Sequence, residues 1–100
     1  MNIQITSRKF KAKDSLKDFI KEELGNLQKF SDDILEANVI LSFTHPKESI
    51  KSVEIILAIP GNILNVSESS EDFQKSVSLA INKLERQLKK IKTKKLAKVR

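Results

Sequence analysis

Apolar residues recur along this chain with two different spacings, and the spacing predicts where strands and helices lie. Near the amino end, Ile3 and Ile5 alternate with polar residues, which indicates a short half-buried strand over residues 2–7. The same alternation predicts three further strands, over residues 34–44, 50–59 and 63–69. A turn at Pro60-Gly61-Asn62 separates the last two strands, because proline presets its φ and glycine accepts a positive φ.

Two segments have the three- and four-residue apolar spacing of an amphipathic helix. The first follows Asp14, which we expect to be the N-cap, and continues for about 16 residues to Phe30. The second starts near Glu71 and Asp72, whose carboxylates we expect to complement the helix dipole in the first turn. It continues to at least residue 92.

The carboxyl end of the second helix marks the predicted edge of the domain. Its apolar register fails beyond Ile91, because Lys95 occupies the next core position. We therefore expect residues 1–94 to form a single domain and residues 95–100 to form a frayed basic tail.

The order strand, helix, three strands, helix defines the predicted fold, βαβββα. Short turns make the last three strands antiparallel, and the first strand must return beside them after a helical crossover. The prediction is an α+β, two-layer sandwich, in which a four-stranded mixed sheet carries both helices on one face.

Charge is distributed unevenly along the chain. Residues 83–100 hold nine Lys or Arg and one acid, a net charge of +8, whereas the first 82 residues hold ten bases and twelve acids, a net charge of −2. Such a local basic field suits a polyanion, because cations beside phosphates release condensed counterions. Many charged helix faces are only solvated surfaces, but surfaces of that kind usually mix the two signs.

On a helical wheel centred on Leu84, basic residues gather on both sides of the buried stripe. One flank carries Lys83, Arg86, Lys90 and Lys94, and the other carries Lys89 and Lys92. A second basic group, made of Arg8, Lys9, Lys11 and Lys13, precedes the first helix. The two groups form one patch only if the fold brings this connector beside the second helix.

Several functional classes find little support. The chain has no Cys, and its one histidine, His45, stands in a polar loop beside Pro46, so we expect no catalysis, cofactor, metal site or small-molecule substrate. Base stacking is also disfavoured, because the chain has no Trp or Tyr and Phe43 lies on the inward face of its strand. No apolar run is long enough for a membrane span and no secretion signal is present, so we expect a cytoplasmic protein.

Four stretches resemble the ribosome hibernation-promoting factors, also called ribosomal subunit interface proteins or sigma-54 modulation proteins. They are residues 1–6 (MNIQIT), residues 39–42 (VILS), residues 59–61 (IPG), and Glu71-Asp72 followed by residues 83–90 (KLERQLKK). The likeness covers essentially the whole chain in the same order.

The resemblance implies a fold similar to double-stranded RNA-binding domains and a definite partner. Such factors bind 16S rRNA of the small subunit, in 30S or 70S ribosomes, where mRNA and the A- and P-site tRNAs lie. They inhibit translation and promote ribosome hibernation in stationary phase and under stress. The RNA-binding positions of the family map onto Lys83, Arg86, Lys89 and Lys90 in the second helix, Lys17 and Lys29 in the first, and Arg8 in the connector. We also expect Gln87, Lys94 and Lys9, which lie beside these positions, to contact RNA.

The chain also departs from the family pattern. Lys13 replaces a frequent Thr, and Phe73-Gln74 replace a common Met-Tyr pair, which puts a contact by that tyrosine in doubt. The chain resembles the short form, so we expect no dimerisation domain of its own. Whether it promotes 100S dimers or only silences 70S ribosomes is left open.

Two alternatives stand beside the ribosome-binding hypothesis. One is a general module for double-stranded RNA, which would bind naked duplex. The other is a protein-interaction module whose basic helix docks an acidic partner, and its binding would survive nuclease treatment.

Overall fold

The computed structural model describes residues 1–43 and 50–98, with side chains described as far as Ile91. The loop that contains His45 and Pro46 lies outside the described residues, as does the end of the predicted tail at residues 99–100.

Four strands and two helices form the fold in the predicted order. They are β1 Asn2–Ser7, α1 Asp14–Phe30, β2 Glu36–Phe43, β3 Lys51–Ile59, β4 Asn62–Ser70 and α2 Phe73–Lys98. The sheet order is β1-β2-β3-β4, with β1 parallel to β2 and the other neighbours antiparallel. The mixed four-stranded sheet is therefore confirmed.

One face of the sheet supplies the core. Across the register, Ile5 lies beside Val39, Val39 beside Ile55, and Ile55 beside Val66, so inward side chains align in rows. These rows and the apolar stripes of both helices belong to a single buried cluster, which includes Ile20 of α1. The predicted placement of both helices on one face is thus confirmed, and burial of this apolar area is the main stabilising term of the fold.

The turn between β3 and β4 is tighter than the sequence predicted. Ile59 pairs directly with Asn62, which leaves a two-residue turn of Pro60 and Gly61. Gly61 has a φ of 77°, a conformation that glycine adopts without a steric penalty.

Both helix starts correct the sequence predictions. Asp14 is the first residue of α1, and the N-cap is Lys13, which makes no side-chain capping bond. The Asp14 carboxylate instead lies in the first turn, where it faces the partial positive charge of the helix end. In α2 no acid occupies the first turn. Asp72 precedes the helix and caps it, because its Oδ1 accepts the Gln74 N–H at 3.1 Å.

The backbone of α2 continues to Lys98, beyond the point where we expected fraying to begin. Lys, Leu and Ala favour helical backbone, so local propensity supports the helix over these residues. The domain boundary at residue 94 stays a prediction, since the side chains after Ile91 lie outside the described part.

Candidate RNA-binding surfaces

The two helices run in the same direction along the sheet, so each end of the helical layer has its own set of cations. At one end, Leu16 of α1 and Phe73 of α2 line the same cavity. At the other end, Lys89 Nζ of α2 lies 5.8 Å from the centroid of the Phe30 ring of α1. The amino ends of both helices therefore meet at one place and their carboxyl ends at another.

We call the cations at the carboxyl ends of the helices the C-terminal basic surface. It comprises Lys29 of α1 and Lys83, Arg86, Lys89 and Lys90 of α2. Its position is fixed by Leu84 and Leu88, which are buried in the core. Because these leucines face the sheet, Arg86 and Lys90 are directed outward and are exposed.

Two lysines of this surface already have partners within the chain. Lys83 forms an ion pair with Glu68 of β4, whose side chain is only 19% exposed. Lys89 Nζ lies 3.7 Å from Glu85 Oε1, besides its contact with Phe30. Within the described residues, no ion pair is formed by Arg86 or Lys90. These two side chains therefore offer their full charge to a partner.

The remaining predicted positions divide between the two ends. Lys29 is exposed in the last turn of α1, next to the ring that Lys89 contacts, so it belongs with the C-terminal basic surface. Gln87 is half-buried on α2, between the outward Arg86 and the buried Leu88. Lys17 is half-buried near the start of α1, at the opposite end. The side chain of Lys94 lies outside the described residues.

The connector between β1 and α1 forms the N-terminal basic surface, with exposed Arg8, Lys9, Lys11 and Lys13. The Arg8 N–H donates to the Leu41 carbonyl at 2.9 Å, which extends the parallel pairing. Phe10 then stacks on Phe73 with a centroid separation of 5.2 Å.

The two basic surfaces are separate. Phe73 begins α2 and Arg86 lies thirteen residues later, which at about 1.5 Å per residue is roughly 20 Å along the axis. The connector therefore does not lie beside the basic flank of α2, and a partner that contacts both surfaces must span the helical layer.

Within residues 1–43 and 50–98, no group of three or more His, Cys, Asp or Glu could hold a metal ion. In the same part of the chain, neither helix combines the length and the apolar character that a membrane span requires.

The known proteins that this chain matches point to one family. The Sigma 54 modulation protein / S30EA ribosomal protein family matches residues 3–96. The chain is 35% identical over 96 residues to the ribosome hibernation promotion factor of Bacillus subtilis and 30% identical over 92 residues to that of Deinococcus radiodurans. These matches cover 94% and 90% of this chain, but 50% and 48% of the two relatives.

Two solved structures share the fold. A ribosomal subunit interface protein from Coxiella burnetii superposes with a TM-score of 0.84 at 30% identity, covering 93% of this chain and 99% of its own. The N-terminal domain of Protein Y from Thermus thermophilus gives a TM-score of 0.80 at 28% identity, covering 91% of this chain and 99% of its own.

The chain therefore belongs to the Sigma 54 modulation protein / S30EA ribosomal protein family. It spans about half the length of the curated relatives that it matches.

Proposed function

We propose that this chain is a ribosome hibernation factor, which binds the small ribosomal subunit and keeps ribosomes idle. The observation that carries the proposal is the C-terminal basic surface, where Arg86 and Lys90 stand exposed on a helix that the core holds in place. The family membership supports the same function, since the matched relatives are named ribosome hibernation promotion factors.

The proposed mechanism is occlusion assisted by charge, without catalysis. Arg86 and Lys90 neutralise phosphates of 16S rRNA in the channel that mRNA and tRNA use, and the released counterions favour the complex. Lys29 and Lys89 extend the contact toward α1. Lys83 joins only after its bond to Glu68 is exchanged for one to RNA, so it contributes less. The domain then fills space that the translation substrates need.

Co-sedimentation with purified 30S subunits tests the proposal. The double variant Arg86→Glu, Lys90→Glu removes both outward cations and adds two repelling charges, so we expect binding to fall at least tenfold at physiological salt. The matched control is Lys21→Glu, Lys75→Glu, which makes the same charge change at two exposed lysines away from the C-terminal basic surface. Equal binding by the two double variants would contradict the proposal.

Competition identifies the place of binding on the subunit. An occupant of the decoding channel is displaced by mRNA and tRNA, and it binds naked double-stranded RNA poorly. Equal affinity for naked duplex would favour the general RNA-binding module instead. Capture of an acidic protein that survives nuclease treatment would favour the protein-interaction module.

A further inference from the structure

A cavity at the amino ends of the helices has features that the C-terminal basic surface lacks. Its volume is about 410 Å³, near the lower end of the range of roughly 300–1,000 Å³ for small-ligand sites. Its lining includes the rings of Phe10, Phe43 and Phe73 and the side chains of Lys11, Lys13 and Lys51. The wall thus combines aromatic rings with cationic side chains.

Three phenylalanine rings form one cluster in this wall. Phe10 stacks on Phe73 at an interplanar angle of 12°. Phe43 meets both rings edge-on, with centroid separations of 5.0 Å to Phe10 and 5.5 Å to Phe73. Phe73 is buried, whereas Phe43 remains 42% exposed. The sequence placed Phe43 on the inward face, but the ring lies at the end of β2, where it stays accessible from the cavity.

The lysines of the cavity differ in the contacts that they make within the chain. Lys51 Nζ donates to the Glu71 carbonyl oxygen at 3.0 Å and lies 5.8 Å from the Phe43 centroid. Lys11 and Lys13 are exposed, and within the described residues neither forms an ion pair. Among the described residues of the lining, the one acid is Asp72, whose carboxylate caps α2. Among the described lining residues, three ammonium groups thus stand against one carboxylate.

The cavity wall is held firmly in place. The buried Ser76 hydroxyl lies 2.8 Å from the Lys51 carbonyl oxygen and 2.7 Å from Ser70 Oγ, which ties the first turn of α2 to β3 and β4. On the other side, Lys9 has a φ of 65°, the only positive φ at a non-glycine residue in the described chain. This unfavourable conformation turns the connector so that Phe10 reaches Phe73.

We propose that this cavity binds one unpaired nucleotide of an RNA strand, with the base stacked on the exposed Phe43 ring and the adjoining phosphate held by Lys11 and Lys13. An exposed aromatic ring beside two available cations matches the two parts of a nucleotide, because stacking on aromatic rings accepts any base. An acidic peptide would satisfy the lysines but leave the exposed ring without a flat partner. The cavity is too small for a duplex, so the nucleotide must be unpaired.

Binding to a short, labelled single-stranded RNA measures this site without a ribosome, so its outcome is independent of the proposed function. Phe43→Leu keeps an apolar side chain but removes the ring, and we expect the affinity to fall by about 5- to 150-fold. Phe43→Tyr keeps the ring and retains the affinity. The matched control is Phe19→Leu, which removes a half-buried ring from the middle of α1 and leaves binding unchanged.

An abasic strand of the same length separates stacking from charge. It keeps the phosphates, so we expect it to bind the native protein and Phe43→Leu equally weakly. The proposal is overturned if Phe43→Leu binds the normal strand as the native protein does, or if the abasic strand binds the native protein as tightly as the normal strand. It is also overturned if an acidic peptide displaces the strand at equal concentration.

Discussion

At the scale of single residues, Lys9 shows how one backbone conformation positions a surface. Its left-handed conformation costs an L-residue with a side chain about 1–2 kcal/mol. The turn that results directs Phe10 onto Phe73 and Phe43, and aromatic pairs of this kind contribute about 0.5–1.5 kcal/mol beyond area burial. The ring contacts therefore offset most of the local strain.

Replacing Lys9 tests this account through stability. Glycine adopts a positive φ freely, so Lys9→Gly should leave the free energy of unfolding unchanged or raise it by up to about 1 kcal/mol. Lys9→Val should lower it by about 1–2 kcal/mol, because a β-branched side chain disfavours this conformation. Urea denaturation of both variants measures the difference. A glycine variant less stable than the valine variant would show that the backbone at Lys9 carries no strain.

At the scale of elements, α2 has two roles along its length. Leu84 and Leu88 fix it on the sheet, and the intervening Arg86 is left exposed. The ion pair between Lys83 and Glu68 joins this basic flank to β4, with the lysine side chain 52% exposed. Pairs as exposed as this one contribute about 0–1 kcal/mol to stability, so the fold depends little on it.

The same ion pair should limit binding to the ribosome. Glu68→Gln removes the carboxylate that holds Lys83, and we expect the affinity for 30S subunits to rise by up to about fivefold, the equivalent of about 1 kcal/mol. The control is Glu54→Gln, the same chemical change on β3 at a position that faces away from the helices. Filter binding at constant salt compares the two. An equal rise in both variants would indicate a general charge effect and exclude a role for the released Lys83.

The strands and helices were predictable from the sequence, whereas their exact ends and the side-chain contacts between them were not. Strands and helices that bury one face leave a local pattern in the sequence. The alternation at Ile3 and Ile5 and the helical spacing around Leu84 are two such patterns. The capping role of Asp72 depends on where the first turn closes, within the one- or two-residue uncertainty of helix ends. The pairing of Lys83 with Glu68 joins positions fifteen residues apart, and only the packing of α2 on β4 brings them together.

The candidate sites were predicted in part. The outward positions of Lys83, Arg86 and Lys90 followed from the helical period. The separation of the two basic surfaces did not, because it depends on the common direction of α1 and α2, which the crossover sets. The exposure of Phe43 was also missed. Alternation predicts which face of the sheet a residue lies on, but not whether the helices extend far enough to cover it.

At the scale of the whole molecule, charge is polarised along the helical layer. The net charge is −2 over the first 82 residues and +8 over the last eighteen, so the field that attracts RNA from a distance is strongest along the last part of α2. Such a molecule should approach the small subunit with α2 leading. The attraction is long-range, so it must weaken as salt screens it.

The central claim is that Arg86 and Lys90 neutralise rRNA phosphates, and the salt dependence of 30S binding tests it most directly. Each phosphate contact contributes about 0.7–0.9 to the slope of log affinity against log salt concentration, so Arg86→Gln, Lys90→Gln should make the slope shallower by about 1.4–1.8. The control Lys21→Gln, Lys75→Gln should keep the native slope. A native slope in Arg86→Gln, Lys90→Gln would mean that these side chains do not contact RNA, and the account would be wrong.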